Sequence, residues 1–287
     1  MRQSVSVIVP HYNDPAGLDA CLAALTSQSV APDEIVVADN DSPQGEAEIA
    51  RVIDGRARLV IVTEKGAGPA RNGAVAACTG EVLAFTDSDC LPAPEWLERG
   101  LAALDDADFV GGGMRVLVAD EEDLTAAEAF ERVFAFDNRM YVLRKRFTVT
   151  ANLLCPRRVF DAVGGFRTGV SEDLDWCLRA RDLGYRIRYA PDAVVGHPAR
   201  RTWPELVRKW RRLNEETFGL TSAKPGGRLK WLILALAMPL SAVAHLPKVL
   251  LSPALSKPGD RLKASVMLFR ARIWRGLDYI RILMNAR

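Results

Sequence analysis

Two pairs of carboxylates stand out for their spacing. Asp87 and Asp89 sit one residue apart, separated by Ser88, at the end of the apolar run EVLAFT (81–86). In extended backbone alternate side chains share a face, so these two carboxylates would point the same way. Like charges that close stay ionised only if a cation, hydrogen bonds or water compensates them. A capped strand end facing solvent is the plainer alternative. The second pair, Glu172 and Asp173, follows Ser171 in the stretch SEDLDW. Ser171 suits an N-cap, which places both acids in a first helical turn where the positive end of the dipole holds carboxylates ionised. A carboxylate held in position can accept the proton of a hydroxyl nucleophile.

The elements that must carry these residues alternate between two periodicities. Residues 4–10 (SVSVIVP), 34–39 (EIVVAD), 58–63 (RLVIVT) and 81–86 read as strands rich in β-branched and apolar side chains. Between them, Asp14-Pro15 is a cap and first-turn pair ahead of Leu18, Leu22 and Leu25; a second helix covers 44–53, and a third runs over 69–78 and stops near Gly80. Repeated βα units imply a parallel sheet, and such sheets bind ligands at the carboxyl ends of their strands. Each strand delivers polar groups there: His11, Tyr12, Asn13 and Asp14, then Asp39, Asn40, Asp41 and Ser42, then GAGPARNG (66–73), then Asp87, Ser88 and Asp89. Four such ends in succession describe a ligand crevice. A dinucleotide oxidoreductase is excluded, because the turn after the first strand is PHYNDPAG and lacks the G-x-G-x-x-G that lets backbone approach a pyrophosphate. No P-loop is present either.

Further along comes FDAVGGFRTGVSEDLDWCLRARDLGYRIRY (160–189). With this stretch the sequence resembles the family 2 glycosyltransferases, inverting enzymes that use nucleotide sugars and have the GT-A fold. The resemblance runs from about Ser4 to His197: Pro10, Tyr12 and Asn13, then Asp39 and Ser42, then Gly66 to Gly73 with Arg71 and Asn72, then Asp87-Ser88-Asp89, then GGF before Glu172-Asp173. It implies that Pro10, Tyr12, Asn13, Asp39, Ser42, Gly66, Arg71, Asn72, Asp87 and Ser88 bind a nucleotide sugar, with Asp39 on the nucleobase, uracil in many members. It implies that Asp89 coordinates Mg²⁺ or Mn²⁺, and that Asp87 contacts the ribose or supports the metal. Many members recruit a histidine after the strand that follows the Glu-Asp helix, and YAPDAVVGHP puts His197 there as a second ligand. Asp173 is then the general base, and Glu172 orients the acceptor or its loop. Arg71 and Asn72 open a helix toward the crevice and suit a diphosphate, although a surface ion pair would also account for Arg71. Asn152 is a further candidate near the donor sugar. Processive members carry Gln-x-x-Arg-Trp after the site; the nearest match here, 206–210, reads LVRKW, which favours single addition.

The expected fold is therefore α/β, a GT-A catalytic domain over residues 1–200 with a Rossmann-like mixed central sheet and helices on both faces. Residues 201–287 form a helical segment that associates with a membrane. Net charge is +2, but 18 lysines and arginines face 5 acids from Arg200 onward, against 20 and 31 before it. An anionic partner is implied for the tail. Thr202-Trp203-Pro204-Glu205 reads as a capping box before a basic helix with Arg208, Lys209, Arg211 and Arg212. Residues 231–247 carry no formal charge, short of the roughly 20 that span a bilayer, and Pro239 interrupts them. The amphipathic, arginine-rich stretch over 259–287 suits an anionic membrane surface rather than nucleic acid; a helical subdomain packed on the body is the alternative. Segment 119–146 carries no assignable motif, though Phe130, Phe134, Phe136 and Tyr141 could line an acceptor site or a core. His11 and His245 read as structural. Five cysteines without a C-x-x-C pair, and no run long enough for a signal peptide, fit a reducing compartment at the cytoplasmic face of the membrane. The expected partners are a UDP-sugar donor and a glycan or lipid-linked acceptor. The alternative function is a non-catalytic nucleotide-sugar-binding or nucleic-acid-associated protein on the same fold.

Overall fold

The computed structural model describes residues 3–286, with Leu220 described by its backbone alone. The chain divides into two compact units. The first comprises Met1–Arg115, Phe136–Thr168 and Glu172–His197; the second comprises Val116–Ala135, Gly169–Ser171 and Pro198–Arg287.

Among the described residues, eight strands form one sheet: β1 (Val5–His11), β2 (Glu34–Asp39), β3 (Arg58–Ile61), β4 (Val82–Phe85), β5 (Leu91–Pro92), β6 (Phe109–Leu117), β7 (Leu153–Pro156) and β8 (Ile187–Pro198). Their order is β3-β2-β1-β4-β7-β6-β8-β5. The first four are parallel neighbours, while β7 runs antiparallel to both β4 and β6. All seven residues of β1 are buried, which is why it is apolar but for Ser6 and His11. Val5, Val7 and Val9 pack on one face with Leu18, Leu22 and Leu25; Ile8 packs on the other with Ala74, Leu83 and Phe85. The helix Pro15–Thr26 starts as its sequence requires, with the Asp14 carboxylate accepting from the Gly17 N–H at 3.1 Å. The third helix spans Ala67–Ala77 rather than 69–78, because Gly66, at φ +129°, turns the chain into it two residues early.

The second unit is helical: Ala126–Phe134, Trp203–Ser222, Gly227–Leu250 and Pro258–Asn285. It takes in residues 116–135, where Phe130 lies in a core with Leu206, Ala242 and Leu268. A complete capping box forms at Thr125 and Glu128. The one read at Thr202 is incomplete: its hydroxyl caps no N–H, while Glu205 reaches back to accept from the Arg201 N–H. Pro239 does not interrupt its helix, which runs unbroken for 24 residues. Proline lacks the N–H that would bond the Ala235 carbonyl. That carbonyl faces Gly276 of the next helix, where an added Cβ would lie 2.9 Å from it and 3.3 Å from Pro239 Cδ. The freed carbonyl is therefore covered by a close helix approach that only glycine permits. Nearby, Trp231 stacks on Tyr279 at 3.9 Å and donates its indole N–H to the Tyr279 carbonyl.

Candidate active site

The site is built at the carboxyl ends of β1, β2 and β4 and the end of β8. His11 and Asp39 are register partners on neighbouring parallel strands, so their side chains meet: Nδ1 lies 2.7 Å from Asp39 Oδ1. His11 Nε2 accepts from the Asp14 N–H at 3.2 Å, so the ring proton sits on Nδ1 and is donated to Asp39. Ser42 adds its hydroxyl to Oδ1 at 2.6 Å and its N–H to Oδ2 at 2.9 Å. Burial alone would raise this carboxyl; the Ser42 and His11 hydrogen bonds outweigh it and hold it below the usual range. Asp39 is 1% exposed, so in this structure its donors come from the protein. Asn13, in left-handed backbone, donates its N–H to Ser42 Oγ, and Pro10 is buried within β1. Tyr12 is 56% exposed, with Lys65 Nζ 5.6 Å from its ring centre.

The Asp-Ser-Asp stretch departs from the extended geometry its spacing suggested. β4 ends at Phe85, and Asp87 to Cys90 close a turn in which the Cys90 N–H donates to the Asp87 carbonyl at 3.0 Å. The two carboxylates consequently have different partners. Asp87 Oδ1 accepts from Arg71 Nη2 at 2.5 Å, and Arg71 Nη1 reaches Glu172 Oε1 at 2.8 Å. Arg71 lies in the second turn of its helix and is 3% exposed, so it is a buried bridge between the β4 turn and the helix Glu172–Asp182. Its Nε has no partner. Asn72 is spent on the loop before that helix: Nδ2 donates to the Phe166 carbonyl, and Oδ1 accepts the Phe166 N–H, both at 2.8 Å. An added Cβ at Gly165 would lie 2.8 Å from Asn72 Oδ1, which is the physical demand behind the glycine of GGF. Gly66 N–H donates to Asn40 Oδ1 at 2.8 Å, and Ser88 is buried within the turn.

Asp89 turns the other way and meets His197, with Oδ2 3.5 Å from Nε2. Phe136 packs on the imidazole, ring centres 4.6 Å apart. Cys90, which the sequence did not single out, completes a group whose ligand atoms lie within 4.8 Å of one another. Burial, reinforced by the Asp87 and Asp89 charges, pushes the Cys90 thiol well up. Thiolate sulfur suits softer metals, so the donors here that fit a hard divalent cation are the Asp89 carboxylate and the His197 imidazole.

Glu172 and Asp173 begin their helix as expected, half-buried, and Asp173 Oδ1 accepts from the Leu174 N–H at 2.7 Å. Burial raises the Tyr141 hydroxyl, with the Asp137 and Asp173 charges adding to it, so Tyr141 and Asp173 share a neighbourhood. Asn152 has its polar atoms occupied within the fold. It is fully buried, accepts from Trp96 Nε1 and donates to the carbonyls of Gly113 and Ala193. Around Arg71 the formal charges of Asp87, Asp89, Glu172 and Asp173 exceed the one buried positive charge, so the cluster attracts cations.

A parallel half-sheet continued by antiparallel strands, with acids and a histidine gathered at its carboxyl edge, is the GT-A glycosyltransferase layout. Solved structures share it. The mannosyltransferase PcManGT from Pyrobaculum calidifontis, in complex with GDP-Man and Mn²⁺, superposes with a TM-score of 0.62 over 99% of this chain and 87% of its own, at 21% identity. GalNAc-T7, solved with UDP, GalNAc and Mn²⁺, gives 0.55 over 69% of this chain and 44% of its own, at 16% identity. The model of glycosyl transferase family 2 matches residues 6–174, and the chain belongs to that family. Glycosyltransferase AglE of Haloferax volcanii is 34% identical over 221 residues, 74% of this chain and 72% of that protein. The pre-mycofactocin glycosyltransferase of Mycobacterium tuberculosis is 27% identical over 272 residues, 85% of this chain and 55% of that protein. The chain is thus a glycosyltransferase.

Proposed function

We propose that this enzyme transfers a sugar, with inversion and by single addition, from a nucleoside-diphosphate sugar to a hydroxyl of a lipid-linked or cell-envelope glycan. The observation that carries this reading is the acid cluster organised by Arg71, with Asp89 and His197 facing each other beside it. Asp89 and His197 would hold Mg²⁺ or Mn²⁺, which supplies positive charge against the charge that develops on a departing diphosphate. Asp173 accepts the acceptor hydroxyl's proton as its oxygen bonds to the anomeric carbon and the bond to the diphosphate breaks. Glu172, fixed by Arg71, orients the acceptor; Asp87, on the other arm of the same guanidinium, sets the donor side. Exposed Tyr12 offers a face for a nucleobase, and Pro10, Asn13, Asp39 and Ser42 form the floor beneath it. A uracil base is the proposed one, and the family resemblance is its support. Screening UDP-, GDP- and TDP-sugars for metal-dependent hydrolysis, with anomeric analysis of the product, tests the reading. Retained configuration overturns single displacement, and neither turnover nor a thermal shift with any donor returns the non-catalytic alternative.

The same proposal places the enzyme at the cytoplasmic face of a membrane, peripheral or shallowly inserted. In its support, the helix Gly227–Leu250 is long and apolar enough to cross a bilayer, and only 17% of its apolar window is buried. Leu229, Leu236, Leu240 and Val243 are each more than 60% exposed, as are Leu262 and Leu277 on the following helix. Flotation with anionic liposomes across a salt series tests it; full-length protein that ignores the vesicles and stays soluble without detergent favours a packed helical subdomain.

A further inference from the structure

A cavity of about 820 Å³ lies within the first unit, away from Asp89 and His197. It opens at the amino-terminal end of β8, whereas His197 stands at the other end of that strand. Arg146, Arg181, Arg186 and Arg188 line it against one acid, Asp106. Its walls include Tyr185 and Tyr189. Three of the guanidiniums have carboxylate neighbours: Arg188 with Asp106 at 2.6 Å, Arg181 with Asp182 at 2.7 Å and Arg186 with Asp108 at 3.8 Å. These pairs are solvent-facing and weak, so a ligand anion competes with them readily. Arg146 makes no ion pair among the described residues. It sits in left-handed backbone at φ +60°, uncommon for a non-glycine residue, where it ends the π-helical turn Tyr141–Lys145. Planar guanidiniums match carboxylate and phosphate oxygens two at a time, and tyrosine faces suit a ring. The volume falls within the range of about 300–1,000 Å³ typical of small-molecule pockets.

The cavity is connected to the catalytic end by two elements. The turn that ends at Arg146 begins at Tyr141, which shares its surroundings with Asp173. On the helix Glu172–Asp182, Arg181 follows Asp173 by eight residues, about 12 Å at 1.5 Å per residue. We infer that this cavity binds an acidic group, phosphate or carboxylate, carried on a saccharide ring of the acceptor some way from the reacting hydroxyl. The assignment of that saccharide as acceptor rests on the transferase reading; the binding itself does not.

The test is calorimetric titration of the full chain, without donor or metal, using glucose 6-phosphate, glucuronate, inorganic phosphate and glucose. One of the two acidic sugars is expected to bind at least about 10-fold tighter than either phosphate or glucose, since charge and ring are both recognised. The Arg146→Ala/Arg186→Ala double variant should weaken that binding on the order of 10-fold or more while its melting temperature holds, and Asp89→Ala should leave it unchanged. Absence of binding by both acidic sugars, undiminished binding by the double variant, phosphate binding as well as the sugar phosphate, or loss on Asp89→Ala each overturns the inference. If acidic sugars bind as stated but the donor screen shows no hydrolysis, the anion site stands and the transferase reading is what fails.

Discussion

Arg71→Met removes a guanidinium that is 3% exposed and leaves facing it two carboxylates, Asp87 at 31% and Glu172 at 28%. Removing one partner of a buried ion pair costs about 3–5 kcal/mol. Both carboxylates keep contact with water, which puts the loss near the low end, about 3 kcal/mol. Methionine also removes the unpartnered Nε, offsetting about 1 kcal/mol, so the net loss is about 2 kcal/mol. For a domain of roughly 150–250 residues that lowers the melting temperature by about 4–8 °C. Turnover should fall as well, since Asp87 and Glu172 lose their common anchor. Arg71→Lys should lie between parent and methionine variant, because an ammonium is a point charge and cannot fork to both carboxylates. Calorimetry of the three proteins, with donor hydrolysis measured on each, checks the reasoning. A shift for Arg71→Met below about 2 °C, with hydrolysis intact, would refute the bridging role.

Asp173→Asn keeps shape but cannot take up the proton, so donor binding should survive while transfer falls by about 10²- to 10⁴-fold; transfer within a few-fold of the parent would move the base to Glu172. Asp89→Ala should abolish metal-dependent turnover, and His197→Ala should raise the Mn²⁺ concentration needed for half-activity; full activity of the histidine variant at limiting Mn²⁺ removes it from the ligand set. In the second unit, Glu131 is 1% exposed and accepts from Lys209 Nζ at 2.7 Å and the Arg200 N–H at 2.8 Å. Burial would raise its carboxyl, but Lys209 and Arg200 outweigh that and hold it below the ordinary 4.5. The folded value being depressed, this stability is fully present above pH 4.5 and is lost as pH falls through the lower folded value. Denaturant midpoints of Glu131→Gln should lie below the parent at neutral pH and converge with it in acid; a constant gap would contradict the linkage.

Much of this molecule is legible along the chain. Its parallel strands show because buried strands need apolar runs, and Asp14-Pro15 marks a helix start because capping is chemistry between near neighbours. The order of strand ends also announces which polar residues share an edge, since parallel βα units carry every carboxyl end to one side. Pairings across that edge are another matter. His11 reads as structural, and strand register supplies the partner that makes it so, Asp39, 28 residues later; Arg71 reads as a phosphate ligand or a surface ion pair, and burial sets it between Asp87 and Glu172, the latter 101 residues beyond it. Local spacing likewise made Asp87 and Asp89 one pair, while the turn after β4 gives each its own partner. Asn152 looks like a donor contact in the chain, and the fold makes it a buried clamp on two carbonyls. Pro239 is a helix breaker by local rule, yet its helix continues because Gly276, far along the chain, lets another helix cover the carbonyl that proline leaves unbonded. Short-range sterics and hydrophobic period are written in neighbouring residues; which buried charge or carbonyl finds which partner depends on distances that exist only after the chain has folded.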